Sequence, residues 1–270
     1  MYRMALITGA TGGLGRGFVT ALPRGTELLL SGPNEEKIAR FTEKLVNAGR
    51  TVHQCAADLS TDHGVEKLLQ RADKLEVDLL INNAGIGRLG PVFENSASDE
   101  RNTVAINVMA LVMLTRGLLP GMIERARLRR QRAGIIIVSS TAAGAPVPFL
   151  ATYAATKAFG LSFAQALAEE LREYPVDILA LCPGATRTNF GVAAGFRGGE
   201  LPGAADPVKV AHDGLRALGQ SQVKVTGILG RCGIGHALLS KPRVTAAIGR
   251  TMRCVVADMS GREQNTVDRR

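Results

Sequence analysis

The chain has 270 residues and a mass of 28.5 kDa, with 46% apolar and 21% charged residues, which excludes a disordered composition and allows one large α/β domain or two small ones. Tryptophan is absent and aromatics make up only 4%, so the core must be assembled from Ala, Val, Ile and Leu, a composition suited to buried parallel strands covered by helices. The net charge of +9 raises nucleic acid as a partner, but five arginines (Arg125, Arg127, Arg129, Arg130 and Arg132) account for more than half of it in one patch, with no aromatic interleaved for base stacking; no nucleic-acid partner is expected.

Residues 3–8 read as a short buried strand and Arg16 to Leu22 as a helix, with Gly9-Ala10-Thr11-Gly12-Gly13-Leu14-Gly15 between them. A glycine-rich turn in that position lets the backbone approach a phosphate and aims the helix N-terminus at it, so dinucleotide binding is expected. No Lys-Ser or Lys-Thr follows the glycines, which excludes a P-loop. A second strand covers 26–31. Asn34 caps the next helix, which runs through Ile38, Phe41, Leu45 and Val46 and ends near Gly49. The third strand spans 50–56, with Asp58-Leu59 at its C-terminal end. A helix through Val65, Leu68 and Leu69 leads to a fourth strand, 77–81, followed by Asn82-Asn83-Ala84-Gly85. This strict alternation is the signature of a doubly wound parallel sheet.

An apolar helix over 99–120 carries the amide of Asn107. The arginine patch follows and reads as a solvated helix end or loop, with docking of an acidic partner as the alternative. Strand five is 135–140. A loop rich in Ala, Gly and Pro (141–150) precedes a helix from Tyr153 through Leu161, Phe163, Leu167 and Leu171. Strand six spans 176–181 and is followed by Cys182-Pro183-Gly184-Ala185-Thr186-Arg187-Thr188. A glycine-rich flexible stretch (189–205), a helix (207–218) and a last strand (223–226) complete a single domain over 1–227. Residues 228–270 form a C-terminal extension whose last ten residues are expected to be disordered.

The cysteines (Cys55, Cys182, Cys232 and Cys254) show no C-x-x-C spacing and the histidines (His53, His63, His212 and His236) no metal-ligand spacing, so neither disulfides nor a metal site is expected. The strand pattern begins within three residues of the N-terminus without a signal-peptide core ahead of it. No run of 18 apolar residues exists, so a spanning helix is not expected and the cytoplasm is the expected location.

Chemistry is concentrated at Tyr153 and Lys157. Positions four apart share a helix face, so the phenol and the ammonium point into one site. A phenol titrates near pH ~10, and an ammonium within about 4–6 Å favours the phenolate by roughly 1–3 units, a possible proton-transfer device for carbonyl and alcohol chemistry. Tyr-x3-Lys alone is common on surface helices; the motifs around it decide.

Together these pieces resemble the short-chain dehydrogenase/reductase family, in its compact single-domain branch with a Rossmann fold. The likeness rests on Thr8-Gly9-x3-Gly13-x-Gly15, Asp58, Asn82-Asn83-Ala84-Gly85, Asn107, Ser140, Tyr153-x3-Lys157 and Pro183-Gly184-x3-Thr188, and covers residues 3–227 in the family's order. It implies an NAD(P)-dependent oxidoreductase. Ser140, 13 residues before Tyr153, would hydrogen-bond the substrate oxygen, Ser139 alternating to the other face of the strand. Tyr153 would give or take its proton, Lys157 would lower the Tyr153 pKa and hold the nicotinamide ribose, and Asn107 would position a water in a relay to Lys157. The resemblance further implies that Thr8, Gly9, Thr11, Gly13, Leu14 and Gly15 form the pyrophosphate turn, that Asp58 and Leu59 meet the adenine and that Asn83, Ala84 and Gly85 line the cleft. Pro183, Gly184, Thr186 and Thr188 would lie along the nicotinamide half, with Thr188 on the carboxamide.

At the end of strand two, Ser31-Gly32-Pro33-Asn34 departs from the family. Gly32 stands where an NAD-selective acid would be and Pro33 where a phosphate-binding Arg is common, while Gly12 replaces a frequent basic residue. Loss of the acid favours NADP over NAD, with Ser31, Asn34 and Lys37 as candidate contacts of the 2′-phosphate. The substrate walls (86–95, 141–150 and 189–205) carry Val147, Pro148, Phe149, Leu150, Phe190, Val192 and Phe196, so a lipophilic ketone or alcohol is expected. Arg187 and Arg197 could meet an acidic group, solvated side chains being the simpler reading. Helices 99–120 and 153–173 commonly form dimer interfaces in the family, which implies a homodimer or homotetramer.

Overall fold

The computed structural model describes residues 2–196 and 203–227. The expectations for 228–270, Arg197, Cys232 and Cys254 lie outside the described residues. Seven strands, β1 (Met4–Ile7), β2 (Glu27–Gly32), β3 (Val52–Ala56), β4 (Leu79–Asn82), β5 (Ala133–Val138), β6 (Val176–Cys182) and β7 (Val223–Val225), form one parallel sheet in the order β3-β2-β1-β4-β5-β6-β7. The order reverses between β1 and β4, so the crevice outside their C-terminal ends is the topological switch point at which such sheets bind ligands.

Both faces are covered, and the strands alternate between them. In β5, Ile135 and Ile137 enter one cluster while Ile136 and Val138 enter the other. Each of the fully buried isoleucines contributes about 1.5–3 kcal/mol. On one face lie α1 (Gly13–Ala21), α2 (Glu35–Asn47) and α8 (Pro207–Ala217); on the other, α3 (Asp62–Asp73), α5 (Leu111–Arg129) and α6 (Ala151–Glu170). Of two shorter helices, α7 (Phe190–Ala194) falls in the 189–205 wall and α4 (Ala97–Val104) precedes α5.

Several boundaries differ from expectation for identifiable reasons. Strand three begins at Val52, not Arg50, because the buried Arg50 guanidinium donates to the carbonyls of Val19, Leu22, Pro23 and Thr26 at 2.6–3.4 Å and closes the C-terminus of α1. Strand five stops at Val138 because Ser140 turns the chain, its Oγ accepting from the Ala142 amide at 3.1 Å. The helix expected at 99–120 runs from Ala97 to Arg129 through a π-helical turn, Ala105–Ala110, that contains Asn107. By length and composition that continuous helix could cross a membrane, but here its apolar face, with Leu111, Leu114, Leu118 and Met122, is buried on the sheet.

The arginine patch lies at a helix end with Arg127, Arg130 and Arg132 exposed, as expected, but four of its five side chains are engaged. Arg125 donates to the Val77 carbonyl at 2.7 Å, Arg129 pairs with Glu76 at 2.6 Å, Arg132 pairs with Asp177 at 2.8 Å and Arg127 lies over the Tyr174 ring. These partners sit at the N-terminal ends of β4 and β6, opposite the crevice, so the patch ties α5 to the sheet.

Candidate active site

The nucleotide half of the site starts at the glycine turn. Gly9 has φ +63, a conformation L side chains rarely adopt, and a Cβ there would lie 3.0 Å from the Ala84 Cα. A Cβ at Gly15 would collide with the Gly9 carbonyl. The N-terminus of α1 has Gly12 at its cap, no side-chain cap and no acid in its first turn, so its leading amides remain available to an anion.

Thr8, expected in the pyrophosphate turn, has another task. It is fully buried, and its hydroxyl accepts from the amides of Asn83 (3.0 Å) and Ala84 (2.9 Å). Asn83 reciprocates by donating Nδ2 to the carbonyls of Thr8 and Gly9 at 2.8 and 3.2 Å. The two residues therefore clamp the ends of β1 and β4 around the switch point. Asp58 is exposed at the cleft rim, where Oδ1 accepts from the amide and hydroxyl of Ser60. Leu59, by contrast, points into the core, leaving only its backbone for a nucleotide.

Ser31 is corrected by strand alternation. It lies on the sheet face opposite Leu30 and Gly32 and is fully buried, whereas the Cβ position of Gly32 faces the Thr11 hydroxyl at 3.6 Å. Its hydroxyl cannot reach a 2′-phosphate. The Asn34 side chain accepts from the Lys37 amide at 2.7 Å as the N-cap of α2.

The structure brings Ser140, Tyr153 and Lys157 together at the ends of β5 and α6. Ser140 lies beside the Tyr153 phenol and acts to lower its pKa, and the Lys157 Nζ is 5.7 Å from the Tyr153 ring centroid. Lys157 is buried and donates to the Val138 carbonyl at 3.0 Å, while Ser139 Oγ, on the other side of the strand, donates to the Lys157 carbonyl at 2.6 Å. Asn107 bonds both backbone groups of Ile86 (2.9 and 2.8 Å) and donates to Thr156 Oγ1 at 2.9 Å. Its side chain is thus spent on fixing the chain after Gly85, and a Cβ at Gly85 would lie 2.8 Å from Lys157 Nζ and 3.3 Å from Asn107 Oδ1.

The expected lowering of the Tyr153 pKa by Lys157 is not present in this state. Burial pushes the phenol up to about 12, and Ser140 beside it acts in the opposite direction. Burial also pushes Lys157 down to about 8, with Cys182 raising it slightly. Both side chains pay for leaving water, and neither has a charged partner that reverses the shift.

The segment expected along the nicotinamide is the chain after β6. Pro183 is buried, Gly184 donates its amide to the Thr226 carbonyl at 3.1 Å, and Thr186 closes the turn onto the Gly184 carbonyl at 2.9 Å. Thr188 packs on the glycine turn: a Cβ at Gly13 would lie 2.6 Å from its Cγ2. The three substrate walls are joined through the backbone, by Leu89 N–H to the Ala194 carbonyl (2.8 Å) and Gly90 N–H to the Phe149 carbonyl (2.9 Å). Phe149 holds φ +66, a strained conformation for a non-glycine residue. Phe190 packs against Tyr153 with ring centroids 5.0 Å apart. Arg187 is paired with Asp206 at 3.1 Å rather than turned to the site.

Two residues passed unnoticed in the sequence. A Cβ at Gly87 would lie 2.7 Å from the Tyr153 ring, so that glycine makes room for the phenol. Cys182, buried beneath Lys157, has its thiol pushed up to about 11 by burial. Gly87 had a faint signal, being a second small residue two places after Asn-Asn-Ala-Gly; Cys182 had none.

Residues 3–195 match the family model for short chain dehydrogenases. The chain belongs to that family. It is 30% identical over 245 residues to dehydrogenase/reductase SDR family member 7B of Xenopus tropicalis, covering 84% of this chain and 78% of that protein. Among solved structures it is similar to a short-chain dehydrogenase from Sphingobium yanoikuyae in complex with NADPH (25% identity, TM-score 0.77, covering 85% of this chain and 90% of that one). It is also similar to a short-chain dehydrogenase/reductase from Burkholderia phymatum in complex with NAD (26% identity, TM-score 0.76, covering 86% and 91%). The protein is therefore an oxidoreductase acting on CH–OH or C=O groups with a nicotinamide cofactor. The residues present fit that group: the uncapped α1 N-terminus and the side-chain-free positions 9 and 15 form a cradle for a pyrophosphate.

Proposed function

We propose that this short-chain dehydrogenase interconverts a lipophilic ketone and its secondary alcohol with NADP(H), Tyr153 acting as general acid and base. The observation that carries the reading is the placement of the Tyr153 phenol beside Ser140, one helical turn from a buried Lys157, in a crevice that opens on the glycine turn. The cofactor, when bound, supplies or accepts the hydride. Ser140 Oγ holds the substrate oxygen and Tyr153 exchanges its proton. With its pKa pushed up to about 12, the phenol is held protonated, the form that donates to the oxygen of a carbonyl under reduction. Acting as a base would require bound groups to bring that value down, at about 1.4 kcal/mol per unit.

Support for an apolar substrate comes from the walls, which carry Phe149, Leu150, Phe190 and Val192, with Phe190 packed on the Tyr153 ring. Support for NADP is the absence of a carboxylate at Gly32 and Pro33. Support for a homodimer is the row of exposed Val104 at the end of α4, Met109 in the π-helical turn and Met113 on α5, with Phe159 exposed on α6. Tyr153→Phe tests the core of the reading: turnover of a ketone panel with NADPH should be abolished while cofactor binding, followed by fluorescence, survives. Near-normal turnover in that variant would remove Tyr153 from the chemistry.

A further inference from the structure

The NADP reading leaves a physical gap. A phosphate monoester carries roughly −2 charge with three acceptor oxygens, and the positions that usually supply its cation hold Gly12 and Pro33. Ser31 is buried on the wrong face, Asn34 is engaged as a helix cap, and the exposed Lys37 side chain has no anchoring contact among the described residues. We propose that Arg16 is the residue that reads the 2′ position of the cofactor; this inference rests on the NADP reading and deepens it.

The placement follows from helix geometry. Arg16 lies one turn after Gly12, its amide donating to the Gly12 carbonyl at 2.9 Å, so the two positions share a face of α1. Side chains on a helix lean back toward its N-terminus, and a Cβ at Gly12 would meet only the Gly9 carbonyl, at 3.3 Å. Arg16 leans into this room. Its Nε donates to the Thr11 carbonyl at 3.1 Å, and its guanidinium carbon sits 4.6 Å from the centre of the Phe41 ring.

The anchored end lies next to the end of β2. The Thr11 hydroxyl is 3.6 Å from the Cβ position of Gly32, and the Ala10 amide donates to the Ser31 carbonyl at 3.0 Å. Gly32 is where an acid would bind the ribose hydroxyls in an NAD-selective site. The guanidinium is thus held by a backbone carbonyl and an aromatic face, while its two terminal nitrogens have no hydrogen-bond or carboxylate partner among the described residues. The acids at the start of α2 have other neighbours: Glu36 pairs with Arg40 at 3.2 Å, and Glu35 lines a cleft with Gln54, Lys67 and Arg71. An unpaired planar fork, fixed in advance, suits bidentate binding of a phosphate better than a mobile lysine would.

The test uses 2′,5′-ADP and 5′-AMP as probes and isothermal calorimetry as the readout, on the wild-type chain, Arg16→Gln and the control Arg40→Gln. The wild type and the control should bind 2′,5′-ADP more tightly than 5′-AMP. Arg16→Gln should lose about ten- to a hundredfold in 2′,5′-ADP affinity, the range for one charged hydrogen-bonding partner, and keep its 5′-AMP affinity and melting temperature. Unchanged 2′,5′-ADP affinity, or an equal loss for both nucleotides, would overturn the assignment of Arg16. A wild-type chain without preference for 2′,5′-ADP would overturn the NADP reading itself, a failure visible before any substitution is made.

Discussion

Gly87→Ala puts the packing around the proposed acid, the Tyr153 phenol, to a direct test. The added Cβ would lie 2.7, 3.0 and 3.1 Å from Cδ2, Cγ and Cβ of Tyr153, and ordinary carbon contacts begin near ~3.5 Å. The ring must therefore retreat by something under about 1 Å, and on its other side it meets Phe190 at a centroid distance of 5.0 Å. Overpacking of this kind costs about 1–3 kcal/mol in stability. The larger consequence is chemical, because a displacement of about 1 Å at a reacting group lowers turnover on the order of a hundredfold. The expected result is a large fall in kcat, a small change in cofactor affinity and a modest loss in melting temperature. Gly25→Ala is the control, since a Cβ there meets nothing within 4 Å. Wild-type kcat in Gly87→Ala would refute the claim that this glycine positions Tyr153.

Two further outcomes follow from burial and exposure. Lys157 titrates in the folded chain at about 8 against an ordinary 10.5, so between those values the unfolded chain holds a proton that the folded chain has released, and stability rises with pH. Between pH 8 and 9 the wild type should gain about 1 kcal/mol more than Lys157→Met in urea denaturation, a comparison that removes the opposing contribution of Cys182, whose raised value begins to act as the pH nears 9; Tyr153 opposes only as the pH nears 10. A rise of the same size in Lys157→Met would show that another group is responsible. At the proposed dimer face, Met109 is 53% exposed, and Met109→Glu should convert the assembly to monomers in size-exclusion chromatography with light scattering. A wild-type chain that is itself monomeric in that measurement would dispose of the face as a homodimer interface.

Much of the architecture was legible because it is written in short-range patterns. Alternating apolar strands and helices imply a parallel sheet, and Tyr153 and Lys157 share a helix face whatever surrounds them. Period-two alternation separated Ser140 from Ser139, which turns away to bond the Lys157 carbonyl. The same rule, applied to Ser31 and Gly32, turns Ser31 away from the cofactor side of the sheet. The arginine patch could not be judged in this way, since Val77, Glu76 and Asp177, which engage it, are about 50 positions away in the chain.

Sequence alone therefore determined the order of elements, the glycine turn between β1 and α1, and the shared helix face of Tyr153 and Lys157, because each depends on neighbours within one turn or one strand. Tertiary structure decided which polar groups are free. It spent Thr8, Asn83 and Asn107 on holding backbone, raised Tyr153 and lowered Lys157 by taking both out of water, and left the Arg16 fork without a carboxylate beside Gly32. Burial and hydrogen-bond partnership are properties of segments distant in sequence that meet only when the sheet closes, and a linear pattern does not carry them.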